Sequence, residues 1–214
     1  MALQLSRDVS FCRAGEALVF LDLRTDRYFR LGSADQQKFE RFIGGAADEI
    51  ELAPFVSAGI LEKGAPAGPC APTSATIASN DIQGLPPMRA SVAGAMETAW
   101  HVMSAHRAIG KSRLPRTLAA LARRKQGALT ASSEDIRATA LLFDANRSFV
   151  PIERRCLIDS IALLRMLHAR NLGAELVFGV RIDPFAAHCW LQADNYILTC
   201  AYDEARGFTP ILVR

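Results

Sequence analysis

Two kinds of apolar pattern divide the chain. Residues 17–23 (ALVFLDL) form a short run of branched and aromatic side chains, 24–27 carry turn chemistry, and 28–31 return as a second such run. That pattern predicts a β-hairpin. Ser33 and Gln36 have capping-box spacing, after which Phe39, Phe42 and Ile43 recur at helical intervals until Gly44-Gly45 stops them. A second short helix is expected over 51–58, and Ile60-Leu61, flanked by Gly59 and Gly64, reads as a small strand. From 64 to 89 the apolar period disappears and Pro, Gly, Ala, Ser and Thr dominate, which predicts a linker ordered in part against a neighbour. The expected units are 1–63, a linker over 64–89, and 90–214.

The second unit reads as helices first and strands last. Residues 91–109, 114–124 and 132–147 each space their apolar residues helically. Pro151 suits a first helical turn, so a helix is expected over 152–171, closed by Gly173. It carries two adjacent stripes, Leu157, Ile161, Leu164 and His168 beside Cys156, Ser160, Leu163 and Leu167, which implies burial on most sides. Strand-like runs follow at 174–181, 188–193 and 196–200, with Asp194-Asn195 as a tight turn. The fold class is α+β, a buried helix packed on an antiparallel sheet.

Composition narrows the function. A net charge of +3 is too small to argue for nucleic acid, and Arg123-Arg124-Lys125 reads as a solvated helix end. The helix over 51–58 is acidic and apolar, which opposes phosphate contact. No apolar run approaches the roughly 20 residues that span a bilayer, and the N-terminus has no signal-peptide pattern. Five cysteines without CxxC spacing fit a reducing cytoplasm.

The candidate chemistry is Cys156 near a helix start, with His188 beginning a strand. Unpaired amides and the helix dipole favour a thiolate there, Arg154 and Arg155 push the same way if they face it, and an adjacent histidine completes a Cys–His pair for acyl transfer. Taken singly, a small core thiol and a structural histidine are the bland readings. Consecutive strand residues point to opposite faces, so His188 and Cys189 do not share an ion and no metal site is expected; Cys189 faces away from His188, whereas Trp190 shares its face. His101, His106 and His168 are assigned no chemistry. In the first unit, the exposed sheet edge formed by Arg27, Tyr28, Phe29 and Leu31, with Phe55 as a hydrophobic wall, suits capture of an extended peptide.

Cys156-Leu157 with Ser160, Ala162 and Leu163, then LVFGVR over 176–181, Pro184-Phe185, Ala187-His188, Trp190 and the FTPI tail at 208–211 form an ordered set. That set resembles the B proteins of lasso-peptide biosynthesis, which are transglutaminase-like cysteine proteases. The resemblance implies a C-terminal papain- or transglutaminase-like domain and an N-terminal winged-helix-like leader-recognition domain. It also implies cleavage of the leader from a lasso precursor peptide, with Cys156 as nucleophile and His188 as base. The implied partner is an ATP-dependent, asparagine-synthetase-like cyclase; any ATP dependence enters through it, since no phosphate-binding loop is present to bind a cofactor. In one place the chain departs from the family. The aspartate that orients the histidine is Cys200 here, leaving Asp203 as the first alternative carboxylate and a catalytically weakened peptide-binding scaffold as the alternative function.

Overall fold

A computed structural model describes residues 3–64, 70–109, 113–125 and 132–214, and the side chains of Arg124 and Lys125 in the basic run fall outside that description, as does the start of the expected linker at 65–69. The N-terminal part runs β1 (Leu3–Leu5), β2 (Val9–Ala14), β3 (Ala17–Asp22), β4 (Arg27–Arg30), α1 (Ser33–Ile43), α2 (Glu49–Ser57) and β5 (Leu61–Lys63). Strands β2, β3 and β4 form an antiparallel meander, and β1 pairs separately with β5. The β2–β3 turn has Gly15 at φ +58°, a conformation glycine adopts without steric cost.

Both faces of this meander are covered. Phe11 and Phe20 meet Phe39 of α1, which also meets Phe55 of α2, with ring centroids between 5.0 and 5.6 Å apart. On the other face Cys12, Ala14, Val19 and Leu21 join the core of the C-terminal part. Burial on two sides explains why β3 reads as a continuous apolar run instead of an alternating one. The expected capping box does not form: Gly32 is the N-cap of α1 without a side-chain bond. Gln36 instead accepts from the Leu18 amide and donates to the Glu16 carbonyl, tying the helix to the β2–β3 turn.

The C-terminal part contains β6 (Asn80–Asp81), a 3-10 turn (Ile82–Gly84), α3 (Val92–Ala108), α4 (Leu114–Lys125), α5 (Ser133–Arg147), α6 (Cys156–Ala169), β7 (Glu175–Arg181), β8 (Ala186–Ala193), β9 (Tyr196–Ile197), α7 (Tyr202–Ala205) and β10 (Thr209–Val213). Its sheet has the order β10-β7-β8-β9-β6. Helices α3, α4 and α5 gather around α6, which lies on β7 and β8. Strand β10 lies against β2 and β3 of the N-terminal meander.

Three expectations change here. The segment expected as a linker contributes β6 to the sheet, parallel to β9 where all other pairings are antiparallel. Asn195 secures it by accepting from the amide and hydroxyl of Ser79 and, through its carbonyl, from the amide of Asn80. The strand expected over 196–200 stops at Ile197. The buried helix begins at Cys156, not at Ile152. Arg147, 1% exposed, donates to the carbonyls of Val150, Ile152 and Glu153 and pairs with Asp159 at 2.7 Å. Those carbonyls point at the guanidinium, so residues 150–155 form a tied loop and Cys156 becomes the first residue of α6.

Arg147→Ala is expected to lower stability by about 3–5 kcal/mol, because it leaves Asp159 without its buried partner and takes the guanidinium from the Ile152 and Glu153 carbonyls. Urea unfolding checks this; a loss below about 1 kcal/mol would mean the loop holds without the clamp.

Candidate active site

The start of α6 meets β8 at the site. Arg155 caps the helix with extended backbone and no side-chain hydrogen bond, so the first-turn amides remain available beside Cys156, which is exposed. The thiol of Cys189 and its backbone N–H both hydrogen-bond the Cys156 sulfur, as does the side chain of His188. These donors outweigh burial and hold the Cys156 thiol down at about 4, the Cys189 thiol contributing most. Cys156 is thus poised as a thiolate. Arg154 and Arg155 take no part, since they pair with Asp144 and Glu153 at the surface.

Cys189 was expected to be a bystander on the strand face opposite His188, and the structure corrects that. The face it occupies is the one that packs on α6, where its buried thiol contacts both Cys156 and Ser160 and is pushed well up by burial. No spacing rule in the sequence signals a thiol donating to a thiol.

On the other face, His188 stacks near Trp190 at 6.0 Å and Phe208 at 5.3 Å. Gly179 lies opposite His188 in the β7–β8 register. A methyl group there would fall 2.8 Å from both Phe208 and Trp190, so glycine is what lets these rings close beneath the histidine. The His188 Nε2 is buried without a hydrogen-bond partner, which leaves Nδ1 as the atom facing Cys156.

The carboxylates near His188 differ from expectation. Asp203 has an 81% exposed side chain and pairs with Arg206 at 2.9 Å, which turns it away from the histidine. Its neighbour Glu204 places a carboxylate oxygen 3.7 Å from His188 Nε2. Cys200 completes the group, with His188, Cys200 and Glu204 each presenting a polar atom within 4.8 Å of the others. Residues 202–205 form a helical turn, and Glu204, one position after Asp203, is the residue that reaches the ring. Asp194 is a turn residue with φ +52° that accepts from the Ser133 hydroxyl.

The residues expected to capture a peptide are divided by the alternation of β4. Phe29 stacks on Phe20 and, with Arg27, Ala58 and Ile60, borders a cleft of about 290 Å³. Tyr28 points the opposite way, edge-on to Phe185 at 6.0 Å; burial raises its hydroxyl, and the Cys189 and Cys156 thiols are close enough to add to that shift. Leu31 is half-buried beside a wider cleft with Gly32 and Gln36. Phe55 is 3% exposed and belongs to the aromatic core, so it is no open wall.

Gly179→Ala is expected to displace the Trp190–Phe208 pair at a cost of about 1–3 kcal/mol, the usual price of overpacking. Tryptophan fluorescence together with thermal melting tests this, and an unperturbed spectrum would contradict the close approach.

Two comparisons with known proteins bear on this chain. A stretch of 46 residues, 22% of this chain and 22% of the relative, is 44% identical to the microcin J25-processing protein McjB of Escherichia coli. The match therefore spans about a fifth of that curated protein's length. No solved structure matches the chain. No helix among the described residues is long and apolar enough to cross a membrane. The family model of the Transglutaminase-like superfamily matches residues 99–213, from α3 through β10 and across both Cys156 and His188, and the chain belongs to that superfamily.

Proposed function

We propose that this protein is a cysteine peptidase that binds the leader of a lasso-peptide precursor and cleaves it from the core peptide, before a partner cyclase closes the macrolactam. The observation that carries the reading is the Cys156 thiol, held at about 4 at an uncapped helix start and hydrogen-bonded to His188. The likeness to a microcin J25-processing protein supplies the substrate class.

In this reading Cys156 Sγ attacks the scissile carbonyl and forms a thioester, and the proton held by His188 passes to the leaving amine. The amides at the start of α6 stabilise the oxyanion. His188 then activates water to release the leader. The cyclase is the ATP-dependent, asparagine-synthetase-like enzyme of such pathways, and ATP acts there. The edge strand β4 adds the leader as a further strand, with Phe29 and Arg27 beside it and the opposite face, through Tyr28, bordering the Cys156 site. Cys200 in place of the family's aspartate favours a second reading, a weakened peptidase that serves as a scaffold.

Cys156→Ala is expected to abolish cleavage of the precursor while leaving the melting temperature near that of the parent, read by mass spectrometry and calorimetry. Full cleavage by the variant would remove Cys156 from the mechanism, and no cleavage by the parent with its precursor and cyclase present would select the scaffold reading.

Leader binding to the intact Cys156→Ala protein is expected to slow amide exchange in β4 and in the leader itself. Protection confined to the α6–β8 region would assign recognition to the C-terminal part instead.

A further inference from the structure

We infer that Glu204 is the positioning residue of His188, supplying from α7 the carboxylate that the family places at position 200. This rests on the cysteine-peptidase reading of Cys156 and His188. Three observations carry it. Glu204 Oε1 is 3.7 Å from His188 Nε2, and that nitrogen is buried with no hydrogen-bond partner. A modest rotation of the Glu204 side chain, which is 53% exposed and free to turn, brings the pair to hydrogen-bond distance.

The second observation is that Cys200 cannot do the same work. It is buried, and burial together with the negative charges of Glu204 and Asp81 pushes its thiol up to about 12. A neutral thiol offers no charge to an imidazolium, so position 200 fills space beside the ring without orienting it.

Third, the backbone around Glu204 is fixed. Asp81 of β6 accepts from the Tyr202 amide at 2.7 Å and from the amides of Gln83 and Gly84, so one carboxylate holds the start of α7 against the sheet. Asp203 is spent on Arg206, which leaves Glu204 as the residue of this helix facing the histidine.

The titratable and charged groups around His188 are Cys156 of α6, Cys189 of its own strand, Cys200 before α7, Glu204 on α7 and, across the Phe208 ring, Arg181; Asp81 of β6 acts on Cys200, and Tyr28 of β4 lies by the Cys156 and Cys189 thiols. Glu204 is the carboxylate placed against the ring nitrogen. Its carboxylate oxygen faces that nitrogen at 3.7 Å and so fixes which side of the ring is turned to Cys156.

The test is the pH dependence of Cys156 alkylation by iodoacetamide, followed by peptide mass spectrometry so that each cysteine is read separately. It needs no peptide substrate. In Glu204→Gln the alkaline limb of Cys156 alkylation is expected to move down by about 1 pH unit, the lower end of the range for an opposite charge at this distance because Glu204 is half exposed, while the acid limb does not rise, since removing an anion cannot disfavour the thiolate. Precursor cleavage is expected to lose at least about tenfold in kcat with KM little changed; the loss of a fully buried carboxylate in a Ser–His–Asp site is about 10⁴.

Adding Cys200→Asp to Glu204→Gln should return the alkylation profile and the turnover toward the parent. Cys200→Asn, which adds an amide and no charge, should restore neither the limb nor the turnover. Identical alkylation profiles for parent and Glu204→Gln would overturn the assignment. So would a defect that neither position-200 variant relieves, since Glu204 would then be only a structural support. A shifted limb in a parent that cleaves no precursor would keep the assignment and discard the peptidase reading, whereas cleavage with an unshifted limb would do the reverse.

Discussion

Arg147 holds the site together. Its guanidinium is buried at the end of α5 and reaches across to three carbonyls of the loop before α6 and to Asp159 within α6. An arginine there satisfies several acceptors from one planar group, which a lysine cannot match. The result is a helix that starts late, at Cys156, with its first amides uncapped. A start at Ile152 would have put Cys156 in the second turn, where the influence of the free amides is weaker. Burial raises the pairing carboxyl of Asp159 despite the arginine, so the contact is a constraint on geometry more than a reservoir of stability.

A second constraint is the double burial of the N-terminal meander. One face holds the phenylalanine cluster of α1 and α2, and the other is continuous with the core around α6 and β10. The N-terminal part is therefore built onto the transglutaminase-like fold instead of hanging from a linker. That packing carries β4 to the β7–β8 turn, where Tyr28 meets Phe185 and lies near the Cys189 and Cys156 thiols. The outer edge of β4 carries no further strand among the described residues.

Much of the local structure was legible. The helices at 92–108, 114–125 and 133–147 follow their apolar spacing, with Ser91 and Ser132 as side-chain caps. The hairpin of β7 and β8 follows its strand-forming runs. Legibility failed where a side chain competes with the rule. Gln36 had the spacing of a cap but found the hairpin turn within reach, and Pro151 had the chemistry of a first turn but lies in the loop held by Arg147. Strand β2 was missed because its polar positions break the alternation, and β6 because two residues in a Pro- and Ser-rich stretch carry no period of their own.

For the site, the sequence by itself determined that Cys156 lies near the start of a buried helix, that His188 lies on a strand, and that no aspartate stands at position 200. These are local facts, set by side-chain type, periodicity and the ordered motif around them. Only the tertiary structure decided which groups face that pair. It brought the Cys189 thiol to Cys156 across the helix–sheet contact, turned Arg154 and Arg155 outward, exposed Asp203 and aimed Glu204 at the ring. The physical reason is that a hydrogen bond depends on ångströms and direction, and those are set by the packing of α6, β8 and α7 against one another, which no spacing along the chain records.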